Sequence, residues 1–249
     1  MADDQVDDEA PAAGAAPQTK AAPTGTVKLA NRKLTAAGSM LGLRPGDVLA
    51  GVNGAPFIGT VQDLNARFKQ SGGKPLALSF RRGKIDLTVL ADHPNLGKWE
   101  ATDPVSGWTG DGDDPVMMRN WEVLRASDGS YDLHSLSPDN LALFLPPVWL
   151  LKSRLWVATA AIIAALVTAG MIWIPLAAVV YILAGLTLRK SGATLYRLDR
   201  INMGMAPYAI VAATTEAGAH AAYGKIDPKG RFMFAAPKEE TAEHELTED

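Results

Sequence analysis

From Leu155 to Leu188 the chain runs for 34 residues, LWVATAAIIAALVTAGMIWIPLAAVVYILAGLTL, without one charged side chain. A helix of a soluble domain carries an apolar stripe opposite a polar face, and a helix that is apolar all round belongs in a membrane or a large core. About 18 to 20 apolar residues suffice to cross a hydrocarbon layer of roughly 30 Å, whereas one straight helix of this length would measure about 51 Å. Gly170 and Pro175 lie near the middle of the run. The stretch therefore predicts a helical hairpin with legs Leu155 to Ala169 and Met171 to Leu188, about 22 and 27 Å long. A spanning hairpin is the first reading; a re-entrant wedge and a buried soluble helix pair are the other two.

The flanks orient it. Lys152 and Arg154 precede the run, Arg189, Lys190, Arg197 and Arg200 follow it, and the turn carries no charge. By the positive-inside rule both ends face the cytoplasm, with Trp149 and Trp156 at that interface and Trp173 near the opposite one. Ala161, Ala165 and Ala169 form a small-xxx-small stripe that lets helices approach closely. Packing between the legs is its simplest use, and homo-oligomerisation is a second. No ionisable side chain interrupts the legs, which argues against an ion path or proton relay.

Composition narrows the rest. In 249 residues there is room for a small domain, a membrane segment and a further small unit. A net charge of -3, with no basic stripe interleaved with aromatics, speaks against a nucleic-acid partner. Cysteine is absent, which excludes disulfides, thiolate metal sites and cysteine nucleophiles. The four histidines, His93, His134, His220 and His244, fall in no H-E-x-x-H motif, and no Gly-x-Ser-x-Gly setting occurs. Asp111-Gly112-Asp113-Asp114 lacks the ligand alternation and closing glutamate of a calcium loop. No catalytic residue, cofactor or metal is expected.

The fold class expected is α+β, a small β-rich domain, a membrane hairpin and a small juxtamembrane α+β unit. The segments are an acidic disordered tail (1–23), the β-rich domain (24–91), a polar linker (92–118), a β-hairpin and entry segment (119–147), the membrane hairpin (148–190), a β-α-β unit (191–237) and an acidic tail (238–249). Within the first domain, Thr60 caps a helix whose Val61, Leu64 and Phe68 share one face, and Ser71-Gly72-Gly73 ends it.

Gly42-Leu43-Arg44-Pro45-Gly46-Asp47-Val48-Leu49 followed by Val52-Asn53-Gly54 resembles the central signature of bacterial PDZ domains, over about residues 24–91. The signature positions are Gly42, Leu43, Pro45, Gly46, Asp47, Asn53 and Gly54. In that family a groove between a strand and a helix binds an extended peptide by strand addition, often with its terminal carboxylate held by backbone amides. The resemblance points to Leu64 and Phe68 as groove-side candidates, with core packing as the other role open to an apolar helical face. The region before Thr24, where the family carries its carboxylate loop, has no apolar glycine loop.

A binding-type module joined to a hairpin, without catalytic constellations, leads to the expectation of a non-enzymatic adaptor at the bacterial inner membrane, both termini cytoplasmic. Its partners would be membrane lipid and an unidentified protein. A membrane-shaping or self-oligomerising hairpin, and an accessory subunit of a larger membrane enzyme, are the alternatives.

Overall fold

A computed structural model describes residues 25–110 and 114–235. The acidic segments 1–23 and 238–249, and Asp111 to Asp113 of the calcium-like run, lie outside the described residues. The architecture is α+β, with two mostly antiparallel sheets and seven helices among the described residues.

The first unit opens with β1 (Thr26–Leu34), α1 (Ala36–Met40), β2 (Val48–Val52), β3 (Ala55–Pro56), α2 (Val61–Gln70), β4 (Leu76–Arg82), β5 (Ile85–Ala91) and β6 (Gly97–Thr102). The strand order is β5-β4-β2-β1-β6, with β3 paired to β2, and every pairing is antiparallel. Alternation along β4 and β5 sends Leu78, Phe80, Leu87 and Val89 into one core with Leu29, Leu49, Leu64 and Phe68. Thr60 caps α2 through a capping box with Asp63, satisfying two amides that the first helical turn leaves without intrahelical partners. Asn53 (φ 52°) and Gly54 (φ 74°) both adopt the left-handed conformation that a two-residue hairpin turn between β2 and β3 requires. Residues 92–118, expected as a polar linker, contain a strand: β6 pairs with β1 from Thr26↔Thr102 to Leu29↔Trp99. Its exposed Lys98, Glu100 and Ala101 hid it in the sequence, because an edge strand needs only one apolar anchor, here Trp99 stacked 6.2 Å from Phe80.

The second unit comprises β7 (Arg119–Arg125), β8 (Ser130–Ser135), α3 (Asn140–Phe144), α4 (Pro146–Lys152), α5 (Trp156–Ile172), α6 (Ile174–Asn202), β9 (Ala206–Ala213), α7 (Glu216–Ile226) and β10 (Arg231–Phe232). Its sheet has the order β10-β8-β7-β9, with β10 parallel to β8 and the other pairs antiparallel. One face packs on α7 through Val123, Tyr131, Leu133, Val211 and Tyr223. On the other, Leu124 packs with Trp149, Leu150, Leu188 and Tyr196 of the helices. The two sheets meet where the Asn120 side chain accepts from the Leu90 amide (2.8 Å) and donates to the Leu90 carbonyl (2.9 Å). An amide side chain thus occupies the place of a neighbouring strand along the β5 edge.

The apolar run forms two helices in contact, α5 and α6, broken at Trp173 (φ -169°, ψ 125°) and not at Gly170. Pro175 has no N–H to donate back to Met171, so α5 must end before it, and proline is tolerated in the first turn of α6. Helix α6 then continues to Asn202, so the expected boundary at 190 falls inside it. Leu188, Gly192, Tyr196 and Arg200, four residues apart, form one buried face against α4 and the second sheet, which keeps the helix going beyond the apolar run. Gly185 lies on the same helix where a Cβ would come within 2.4 Å of the Leu143 carbonyl oxygen. Gly185→Ala is expected to push α3 off α6 at a cost of about 2 kcal/mol, read as a lower unfolding temperature in neutral detergent. An unchanged transition would show that α3 is not held there.

Candidate functional site

Alternation on β8 sends Asp132 and His134 to the face opposite Tyr131 and Leu133, and cross-strand pairing sets Glu122 beside His134. Helix α6 lays Tyr196, Arg197 and Arg200 across that face. Arg200 is 1% exposed; its Nε donates to Asp132 Oδ2 (2.6 Å), Tyr196 Oη donates to the same oxygen, and a terminal nitrogen pairs with Asp199. Arg197 holds the nearly buried Glu122 in a two-pronged pair, Nε to Oε2 at 2.9 Å and Nη2 to Oε1 at 2.8 Å. Such charges leave water only when paired, since desolvating each alone costs several kcal/mol.

Asp132, Tyr196 and Arg200 help wall a cavity of about 380 Å³ between β8, α4 and α6, at the charged end of the helical hairpin. Its lining includes Arg119, Lys152, Arg154, Arg189 and Lys190, none of which has a carboxylate within 4 Å among the described residues. His134 also lines it, stacked 4.1 Å from Tyr196, with its Nε2 buried and without a hydrogen-bond partner. Burial, reinforced by Arg200 and Arg197 and opposed by Asp132, lowers the His134 pKa to about 4, so the ring is neutral at pH 7. Arg154 takes a left-handed backbone (φ 57°) at the turn between α4 and α5, and its guanidinium lies 3.7 Å from the centre of the Phe234 ring. Chemically, this arrangement offers cations at a mouth and hydrogen-bonding groups at a floor. Among the described residues no group of three His, Asp or Glu stands close enough to hold a metal.

The residues singled out in the sequence fall in several places. Leu64 (0% exposed) and Phe68 (8%) both point into the core of the first unit, so neither side chain is presented to a peptide. Leu43 is buried, Gly42 (φ 66°) packs on the backbone of Ile210, and Pro45-Gly46 turns into β2. Asp47 is structural: its carboxylate accepts from the Arg44 amide (2.8 Å) and pairs with Arg82 (2.6 Å). Asn53 accepts from the Ala77 amide (2.9 Å). Trp149, read as an interfacial anchor, is buried at 4% against Gly192, because the absence of a Cβ there makes room for its indole. Trp156 (65%) and Trp173 (64%) are exposed, as are Lys152, Arg154, Arg189 and Lys190. Of the alanine stripe only Ala169 is buried; Ala161 and Ala165 face outward, since α5 meets its neighbours through Ala158, Thr159 and Ile162 instead. Sequence reasoning missed the Asp132–Arg200 pair, counting Arg200 among the flanking cations and His134 among ordinary histidines. The i, i+2 spacing of Asp132 and His134 on an alternating strand was the available signal.

No family model, no curated protein and no solved structure matches the chain.

Proposed function

We propose that this chain is a non-enzymatic membrane-anchored adaptor, in which the α5–α6 hairpin inserts into the lipid layer and the PDZ-like first unit recruits an extended segment of a protein partner. The observation that carries it is the apolar surface of the hairpin. Val157 (82%), Met171 (84%) and Ile174 (79%) are exposed, and only 11% of the most apolar window of α6 is buried, unlike a helix in a soluble core. Among the described residues α6 is the one helix long and apolar enough to cross a membrane, and α5, at 17 residues, is a shorter apolar helix. Phe144, Val148 and Leu151, also exposed, form an apolar collar at the same end as Lys152, Arg154, Arg189 and Lys190, the arrangement of an interface. Recruitment rests on β6, which pairs with β1 on one side and with no strand on the other among the described residues. Strand addition at such an edge satisfies free backbone groups and needs neither Leu64 nor Phe68.

Two measurements test this. After an alkaline carbonate wash of native membranes the protein should stay in the pellet, and release into the supernatant would refute anchoring. A photo-reactive residue in place of Ala101 on β6 should capture a defined polypeptide, while one in place of Lys84 at the far hairpin should not. Capture of the chain only by itself would favour the self-assembling hairpin, for which the outward Ala161 and Ala165 offer a close-packing face.

A further inference from the structure

We infer that the cavity between β8, α4 and α6 is a binding site for a phosphate ester, of the kind carried by an anionic phospholipid headgroup. The reading of the headgroup as its source rests on the proposed anchoring of the hairpin.

Charge is the first argument. Six cationic side chains line the cavity against three carboxylates, Asp132, Asp139 and Glu216. Asp132 is committed to Arg200 and Tyr196, and Asp139 accepts from the Leu141 amide as the cap of α3. The remaining cations, from Arg119 to Lys190, are uncompensated by any carboxylate within 4 Å among the described residues. Clustering like charges is unfavourable in itself and becomes favourable once an anion sits among them. The second argument is the unpaired Nε2 of His134. A buried polar atom without a partner is destabilising, and a turn of the ring toward the cavity would let this nitrogen, when it carries the ring proton, donate to a phosphate oxygen with no charge on the imidazole. A fixed cation supplies a third. Arg154 closes α4 as a left-handed cap, its amide donating to the Leu151 carbonyl and the Leu155 amide to that of Leu150, and its guanidinium lies on the Phe234 ring at the mouth. A guanidinium immobilised on an aromatic face loses little further freedom when it takes a phosphate oxygen.

Place selects the source. Lys152 and Arg154 lie just before α5, and Arg189 and Lys190 follow the apolar part of α6, so the mouth stands at the level where headgroups meet the hydrocarbon. A volume of about 380 Å³ suits a small headgroup. Trp149 and Leu188, in the same lining, offer an apolar wall to the start of an acyl chain.

The test uses full-length, lipid-stripped protein in neutral detergent and isothermal titration calorimetry with three probes: dihexanoyl phosphatidic acid, glycerol 3-phosphate and dihexanoyl phosphatidylcholine. Phosphatidic acid should bind about tenfold or more tightly than phosphatidylcholine, and the exposed double variant Arg189→Gln/Lys190→Gln should lose about tenfold of that affinity. Lys84→Gln, far from the cavity, should lose none. If glycerol 3-phosphate binds as tightly as phosphatidic acid, the phosphate-ester site stands and its lipid source is overturned. Equal binding of the choline lipid, or an unaffected double variant, overturns the site. So does binding that emerges only after residues 238–249 are removed, which would assign the cavity to the chain's own acidic tail. Because binding in detergent is measured apart from carbonate extraction, the site can fail while the anchor stands, and the anchor can fail while the site binds.

Discussion

Asp132→Ala is expected to lower the stability of the folded chain by about 3 kcal/mol, measured as the free energy of urea unfolding in neutral detergent. The carboxylate is 2% exposed and serves two buried groups at once, Arg200 and Tyr196. Its removal leaves the Arg200 Nε desolvated, and breaking one side of a buried pair typically costs about 3–5 kcal/mol. Asp199, still paired with Arg200, and the Tyr196 ring, 4.5 Å from the guanidinium, hold the effect at the lower end. The double variant Asp132→Leu/Arg200→Met removes both charges and should recover most of the loss, since a well-packed apolar pair often replaces a buried ion pair without penalty. If the single variant is as stable as the parent, the seam between α6 and β8 is not held by this pair.

The second large effect is with pH. In the unfolded chain His134 titrates near its ordinary 6.5, and in the folded chain burial brings it to about 4. Between those values the unfolded state binds a proton that the folded state does not, so stability rises with pH across that window. As pH falls from 6.5 to 4 the contribution is progressively lost, to a total of about 3 kcal/mol. His134→Gln removes the titrating group, so the stability difference between pH 7 and pH 4 should shrink by about that amount relative to the parent. An identical pH dependence in the two proteins would mean that His134 titrates normally in the fold. A phosphate ester that accepts from Nε2 sets a negative charge beside the ring, which favours the imidazolium, so bound ligand should raise the folded-state pKa and narrow the window over which stability is lost.

What could be read from the sequence was what is local. Thr60 three residues before Asp63 specifies the start of α2, Asn53-Gly54 specifies a tight turn, and Pro175 forces the break between α5 and α6. Each acts within a few residues. The unreadable parts depend on distant partners. Strand β6 is polar along most of its length and becomes a strand because β1 offers it an edge. Helix α6 continues past Leu188 because a glycine, a tyrosine and an arginine each meet a matching surface: Gly192 the Trp149 ring, Tyr196 the His134 ring, Arg200 the Asp132 carboxylate. No hydropathy pattern contains that stripe. For the same reason the cavity was only half visible, its mouth as flanking cations and its floor not at all.

The unbroken course of α6 has a mechanical consequence. Its 29 residues make a continuous helix of about 44 Å, whose only proline lies in the first turn, joining the apolar half directly to the half bolted to the second sheet. A tilt of about 5° at one end carries the other through about 4 Å. With the hairpin in lipid, a thinner or thicker bilayer that alters its lean would swing the second sheet as a lever arm. Through the Asn120 clamp on Leu90, that swing would re-aim the open edge of β6.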